Sequence, residues 1–241
     1  MATERMLIWE GKSELTGDEI IVLATGVPKA SSRPNRAVKS GNVKTGDMIQ
    51  IHILVKGTNP TEAIKLGLDV AICGTCPFKS KASGGNGGCY THKNLRRGFA
   101  QTSTYKAHMS NGSAPFRLEA FEGQRVRFGA YGDPAAVPFE VWEAIAGVAK
   151  GVTGYTHQWR YADPRFAKVT RASADSPADR QDARAKGYNT FRVRTSKEGR
   201  LPGEIICPAS KEAGMKTQCA TCMLCGGTDN NRTKDVVIIQ H

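Results

Sequence analysis

The stretch from Ile49 to Cys76, IQIHILVKGTNPTEAIKLGLDVAICGTC, passes from a strand pattern through a capped helix into two closely spaced thiols. Ile49, Ile51, Ile53 and Val55 alternate with Gln50, His52 and Lys56, the period of two of a half-buried strand. Asn59-Pro60-Thr61-Glu62 then offers an N-cap, a proline at the first helical position and an acid at N3, with Gly67 as the stop. Asp69 to Ile72 is a brief apolar segment that runs into Cys73. The first thiols are thereby expected on a loop at the C-terminal end of a strand.

Outward from this unit the same alternation continues. Upstream lie a strand candidate, Ile20 to Ala24, and a stretch rich in Pro, Ser, Arg and Lys from Val27 to Lys44 that reads as an arm or long loop. Downstream, Val126 to Ala130 reads as a strand turned by Gly132-Asp133-Pro134, and Val141, Ile145 and Val148 mark a helix face that ends at Gly151. A strand near Tyr155, another from Phe166 to Thr170, and a helix capped by Ser176-Pro177-Ala178-Asp179 and stopped at Gly187 follow. Phe191 to Val193 and Glu204 to Ile206 complete the strands, the last running into Cys207. Repeated strand-helix units imply an α/β fold with a parallel sheet, curled or bent into a partial (β/α) barrel. The expected organisation is an N-terminal strand and basic arm over 1–45, an α/β core over 46–206 and a cysteine-rich segment over 207–241.

All seven cysteines fall in two groups, Cys73, Cys76 and Cys89, then Cys207, Cys219, Cys222 and Cys225. Bunched thiols in an odd number, with no apolar leader in MATERMLIWEGKSE, speak for metal ligation rather than a disulfide framework. The second group supplies four soft donors, enough for one zinc or one iron–sulfur cluster. Its closely stepped thiols with a separate Cys207-Pro208 suit iron, and Cys222-Met-Leu-Cys225-Gly-Gly has the form of a zinc knuckle. The first group has three thiols and an optional imidazole at His92. With His92 it is a closed Cys3His zinc site; without it, three thiols leave one iron of a cluster open. The Ser83–Gly88 loop, SGGNGG, matches no phosphate-binding order and reads as a flexible insert.

Thirty-four Lys and Arg against twenty-two Asp and Glu leave a net charge of +12, which favours nucleic acid as a partner through its phosphates. Trp159-Arg160-Tyr161 interleaves stacking and charge as single-strand binders do, and equally suits a packed strand end. No apolar run reaches the roughly 20 residues needed to span a bilayer. A cytoplasmic protein is expected, with no membrane partner.

CGTCP with CY, GAYGDPAAVP, GYTHQW, KGYNTFRV and CPASKEAG with CxxCxLCGG resemble an uncharacterised bacteriophage family, over about Gly46 to the C-terminus. That resemblance implies the cytoplasm of a host cell and brings no activity. The architecture is in turn similar to the radical SAM superfamily. It implies an iron–sulfur cluster at the first group, an auxiliary cluster at the second, and S-adenosylmethionine near Gly132, Asp133 and Ser173. The chain departs from that superfamily in spacing its first thiols C-x2-C-x12-C and in placing Gly132-Asp133-Pro134 where a G-G-E motif is usual. Asp133, His157, Gln158 and Arg171 fall at expected strand ends and are the catalytic candidates; each alone also serves as a cap, a core group or a surface ion pair. The expected function is a nucleic-acid-modifying enzyme of radical SAM type. Its rivals are a zinc-stabilised binder of nucleic acid or of a host protein, and an inhibitor of a host defence system.

Overall fold

In the computed structural model, which describes residues 3–30, 43–92, 100–230 and 232–240, ten strands form two five-stranded sheets. The first sheet runs β1 (Thr3–Lys12), β2 (Glu19–Pro28), β3 (Ile49–Val55), β4 (Arg125–Tyr131) and β5 (Gly151–Thr153). The second runs β6 (Tyr155–Thr156), β7 (Arg171–Ala174), β8 (Thr190–Arg194), β10 (Asp235–Ile239) and β9 (Glu204–Ile206). β1, β2 and β3 pair antiparallel; every other pairing is parallel. The fold is therefore α/β, as expected, and no barrel closes among the described residues.

β5 and β6 are one run of chain divided at Gly154. β5 pairs with β4 and β6 with β7, so the backbone crosses from one sheet into the other at that glycine. Its N–H donates to the Cys225 carbonyl and its carbonyl accepts from Arg171 N. The fit is tight, because a Cβ at this position would lie 3.1 Å from the Thr170 side chain and 3.2 Å from that of Phe128.

The helices are α1 (Pro60–Leu66), α2 (Val70–Cys73), α3 (Ala100–Asn111), α4 (Phe139–Val148), α5 (Phe166–Val169), α6 (Pro177–Ala185) and α7 (Cys219–Cys222). The predicted caps form. Asn59 Oδ1 accepts from Thr61 N at 2.9 Å, Gly67 closes α1 at φ 75°, and Ser176 Oγ accepts from Asp179 N at 3.0 Å.

Three local expectations change. Asp69–Ile72 does not enter a sheet: the Asp69 carbonyl accepts from both Ile72 N and Cys73 N, so the segment coils into α2. Phe166–Thr170 is also helical, because Thr170 sends its N–H and its hydroxyl back to the Phe166 carbonyl. The strand starts one residue later, at Arg171. β3 is buried on both faces rather than half-buried, with His52 and Leu54 enclosed, because α1, α2 and α3 all lie against it.

The main core gathers Met6, Ile8, Ile20–Ala24, Ile49, Ile51, Ile53, Val126, Phe128 and Trp142 between the first sheet and its helices. Phe128 and Trp142 meet at 4.7 Å between ring centroids, and the Trp142 indole N–H donates to the Pro134 carbonyl. Full burial of each such side chain stabilises by about 1.5–3 kcal/mol. The chain ends belong to the sheets: residues within 1–45 supply β1 and β2, and β10, within 207–241, lies between β8 and β9. Most of the basic arm, residues 31–42, lies outside the described residues.

Candidate metal centres and the adjoining pocket

The first cysteine group is assembled by polar ties on a buried aspartate. The Asp69 carboxylate, fully enclosed, accepts from Ser80 N at 2.8 Å and from the Ser80 hydroxyl at 2.7 Å, pinning the Pro77–Ser80 turn to α2. The glycine-rich stretch then folds back on that turn. Gly85 N reaches the Ser80 carbonyl, Asn86 N that of Pro77 and Cys89 N that of Phe78, each at 2.8 Å. A Cβ at position 85 would lie 2.3 Å from the Lys79 carbonyl oxygen, so the return is open only to glycine. The expected flexible insert is instead the device that carries Cys89 back to Cys73 and Cys76.

The site's own loop is tied to the C-terminal ends of β4 and β6. Asp133 N donates to the Ile72 carbonyl at 2.6 Å. Gln158 Nε2 donates to the Cys73 carbonyl at 3.0 Å, and Gln158 Oε1 accepts from Thr75 N and the Thr75 hydroxyl. Gly74 permits this clamp, because a Cβ there would stand 2.6 Å from Gln158 Oε1. Asp133 accepts from Ala135 N at 3.0 Å and His157 N at 2.8 Å.

Around the thiols the electrostatics are uneven. Burial pushes the Cys73 thiol well above its ordinary value, and the charges of Cys76 and Cys89 add to this. At Cys89 burial also raises the thiol, but the adjacent His92, with Thr91, lowers it by more. His157 Nε2 lies 3.4 Å from Asp175 Oδ2 and 4.0 Å from Cys76 Sγ. Burial disfavours its imidazolium, yet Asp175 and Cys76 outweigh that and raise it to about 10. His92 is only 7% exposed; burial disfavours its imidazolium, but the adjacent Cys89 thiol outweighs that and raises it, and neither ring nitrogen makes a well-aligned hydrogen bond; the hydroxyl of Tyr131, the neighbouring ring at 6.1 Å, has no partner.

Against this loop opens a cavity of about 740 Å³, lined by Gly74, Thr75, Lys79 and Gln158 on one side and by Glu14, Val137, Phe139, Glu140, Tyr161, Asp163 and Arg165 on the others.

The second group lies elsewhere. Cys207, Cys219, Cys222 and Cys225 line one small pocket with Thr153, Leu224 and Val236, over a face of the second sheet that also presents Tyr155, Phe191 and Val193. Cys207 and Cys225 are buried; burial raises Cys207 and pushes Cys225 up to about 12. Residues 43–45 dock on it, with Cys219 N donating to the Lys44 carbonyl and Ala220 N to that of Thr45. Arg127 stacks over Tyr155 at 4.9 Å in the same region.

Of the sequence candidates, the structure brings Asp133, His157 and Gln158 to the first group and leaves Arg171 and Ser173 apart from it. Arg171 starts β7 and its buried guanidinium donates to the carbonyls of Thr190, Leu224, Arg232 and Lys234. It binds the Cys222–Cys225 segment to the sheet. Ser173 is buried within β7, its carbonyl accepting from the Trp159 indole. Trp159 is thus a core residue; Arg160 covers its ring at 3.9 Å and pairs with Asp179, and both Arg160 and Tyr161 face solvent. Gly132, at φ 81°, is packed so that a Cβ would lie 2.7 Å from Ile53. With Gly132 packed and Asp133 spent on backbone N–H groups, the predicted residues do not fit S-adenosylmethionine, and no step is assigned to it.

Asp69, Tyr131 and Asp175 belong to the site without having been expected there. Asp175 directly follows β7, the position that strand-end reasoning points to, but the strand was placed too early. Among the described residues no three His, Cys, Asp or Glu side chains close around one point as a finished single-ion site does. No helix among them is long and apolar enough to cross a membrane. The chain matches no family model, no curated protein and no solved structure.

Proposed function

We propose that the chain is a thiolate–metal protein on two open sheets, with an iron–sulfur or zinc centre at Cys73, Cys76 and Cys89 that serves chemistry on nucleic acid. A second centre, at Cys207, Cys219, Cys222 and Cys225, holds the C-terminal segment in place. The observation that carries the metal reading is buried His92, set against the Cys89 thiol beside two further thiols, with at least one ring nitrogen left without a partner. A buried polar atom left without a partner costs about 1–3 kcal/mol, and a cation bound there relieves that cost. Protonated thiols raised by burial respond in the same direction, since a cation favours their thiolate forms.

The enzyme reading draws on position: the centre lies where parallel strands end, beside an open cavity, as sites in α/β proteins do. An iron–sulfur centre there would supply electrons. The chain's own residues would hold it through the three thiols, brace the loop through Gln158 and Asp133, and direct the His157 N–H toward Cys76 Sγ. The net charge of +12 supports a polyanionic substrate.

A second reading, a zinc-stabilised binder of nucleic acid or a host protein without chemistry of its own, is favoured by the same His92. If both imidazole and thiols bind one ion, four protein donors close it. Anaerobic purification with iron, zinc and sulfide analysis and a visible spectrum separates the two. Iron with sulfide, lost in part from Cys89→Ala and kept in His92→Ala, supports the enzyme; zinc lost from both variants supports the binder. A wild-type protein purified without any metal overturns both.

A further inference from the structure

The cavity beside the Cys73–Cys76 loop has a lining that the metal does not use. Its volume of about 740 Å³ lies inside the range of roughly 300–1,000 Å³ typical of small-ligand sites. Leu15, Val137, Phe139 and Phe166 give it apolar walls. Tyr161 lines it too and is 81% exposed, an aromatic face offered to solvent. The charges lining it run against the rest of the molecule. Glu14, Glu140 and Asp163 supply three carboxylates, whereas Arg165 is held by Asp163 at 2.6 Å and Glu140 at 2.7 Å, and Lys79 Nζ donates to the Gly74 carbonyl at 2.6 Å.

In a chain of net charge +12, this cavity sets three carboxylates against two cations; Glu140 and Asp163 share Arg165, and Glu14 makes no ion pair among the described residues, so the lining disfavours phosphate and leaves Glu14 to accept from an amino group. An aromatic ring at such a site stacks on a flat π-system. We propose that this cavity receives one amino-bearing nucleobase turned out of a single strand, stacked on Tyr161, while the strand's phosphates stay outside on basic surface. The proposal rests on the nucleic-acid reading above and names its substrate group. Acidic side chains that accept from an exocyclic amino group are an established mode of base reading, and a base already free of a duplex is the cheapest to extrude.

The test is anisotropy at low salt with three single strands of otherwise thymine sequence, bearing at the centre an adenine, a thymine or an abasic site, and with free adenosine as competitor. The adenine strand should bind about ten-fold tighter than the abasic one, the scale of stacking one base on an aromatic ring. The thymine strand should fall between them. Tyr161→Ala should abolish the preference and Tyr161→Phe should keep it; Tyr161 is exposed, so neither substitution disturbs the core. Adenosine that competes away only the adenine preference supports the cavity as the source of it. Equal binding of all three strands overturns the base pocket and leaves phosphate binding standing. Absence of binding to any strand overturns the nucleic-acid reading together with the pocket.

Discussion

The two cysteine groups occupy unlike places. The first lies on a loop that is nearly all turns, built from Asp69, Ser80 and a glycine-rich return, and fastened to the ends of β4 and β6 by Asp133 and Gln158. The second covers a sheet face, with Cys207 and Cys225 enclosed among Val236, Ile238, Phe191 and Val193. One is a polar assembly at an edge beside an open cavity; the other is part of a small apolar core. A metal lost from the first removes a site, whereas one lost from the second removes a core, because metal binding free energy is folding free energy where little else holds the chain.

The largest effect is expected in the second group. Cys222→Ser should release its metal and lower stability by several kcal/mol, read as a fall in melting temperature together with loss of metal. An unchanged melting point with full metal content would make Cys222 no ligand and erase the contrast. Next comes Arg171→Met. It leaves four carbonyls without the guanidinium, that of Thr190 buried, and should cost about 3–5 kcal/mol in denaturant unfolding. A variant of wild-type stability that lost only activity would return Arg171 to the catalytic set.

A somewhat smaller effect belongs to the first sheet. Burial takes His52 down to about 4, from the ordinary 6.5 of an exposed imidazole. Below 6.5 the unfolded chain takes up a proton that the folded chain refuses until about 4, so the contribution of neutral His52 is present above 6.5 and lost as pH falls through that window. The limiting loss is about 3 kcal/mol. Urea unfolding between these pH values should show a shallower slope for His52→Gln than for wild type, and equal slopes would contradict the burial argument.

Much of the fold was legible where chemistry is local. The Asn59 and Ser176 caps, the presence of a strand at Ile49–Val55 and the Gly132-Asp133 turn all read correctly, because each needs only neighbours in sequence. α3 escaped because its buried face is Gln101, Thr104 and Tyr105, which have helical spacing but little apolar signal. Asp69–Ile72 and Phe166–Thr170 misled by composition: apolar and β-branched residues in short runs fit either a strand or a turn of helix, and hydrogen bonds decided. The thiol groups were visible as spacing. Asp69, Tyr131 and Asp175 were not, since each joins the site through contacts between distant segments. Arg171 at a strand's start and Arg171 at a strand's end are the same residue in sequence, and only the extent of β7 told them apart.

The central claim is that the first group is a metal site added to a fold that stands without it. Metal content per chain and melting temperature, measured together on anaerobically purified wild type and Cys89→Ala, test it most directly. The variant should keep the second group's metal, lose the first group's, and melt within a few degrees of wild type. Full metal content in Cys89→Ala, or a collapse in melting temperature like that expected of Cys222→Ser, would contradict it.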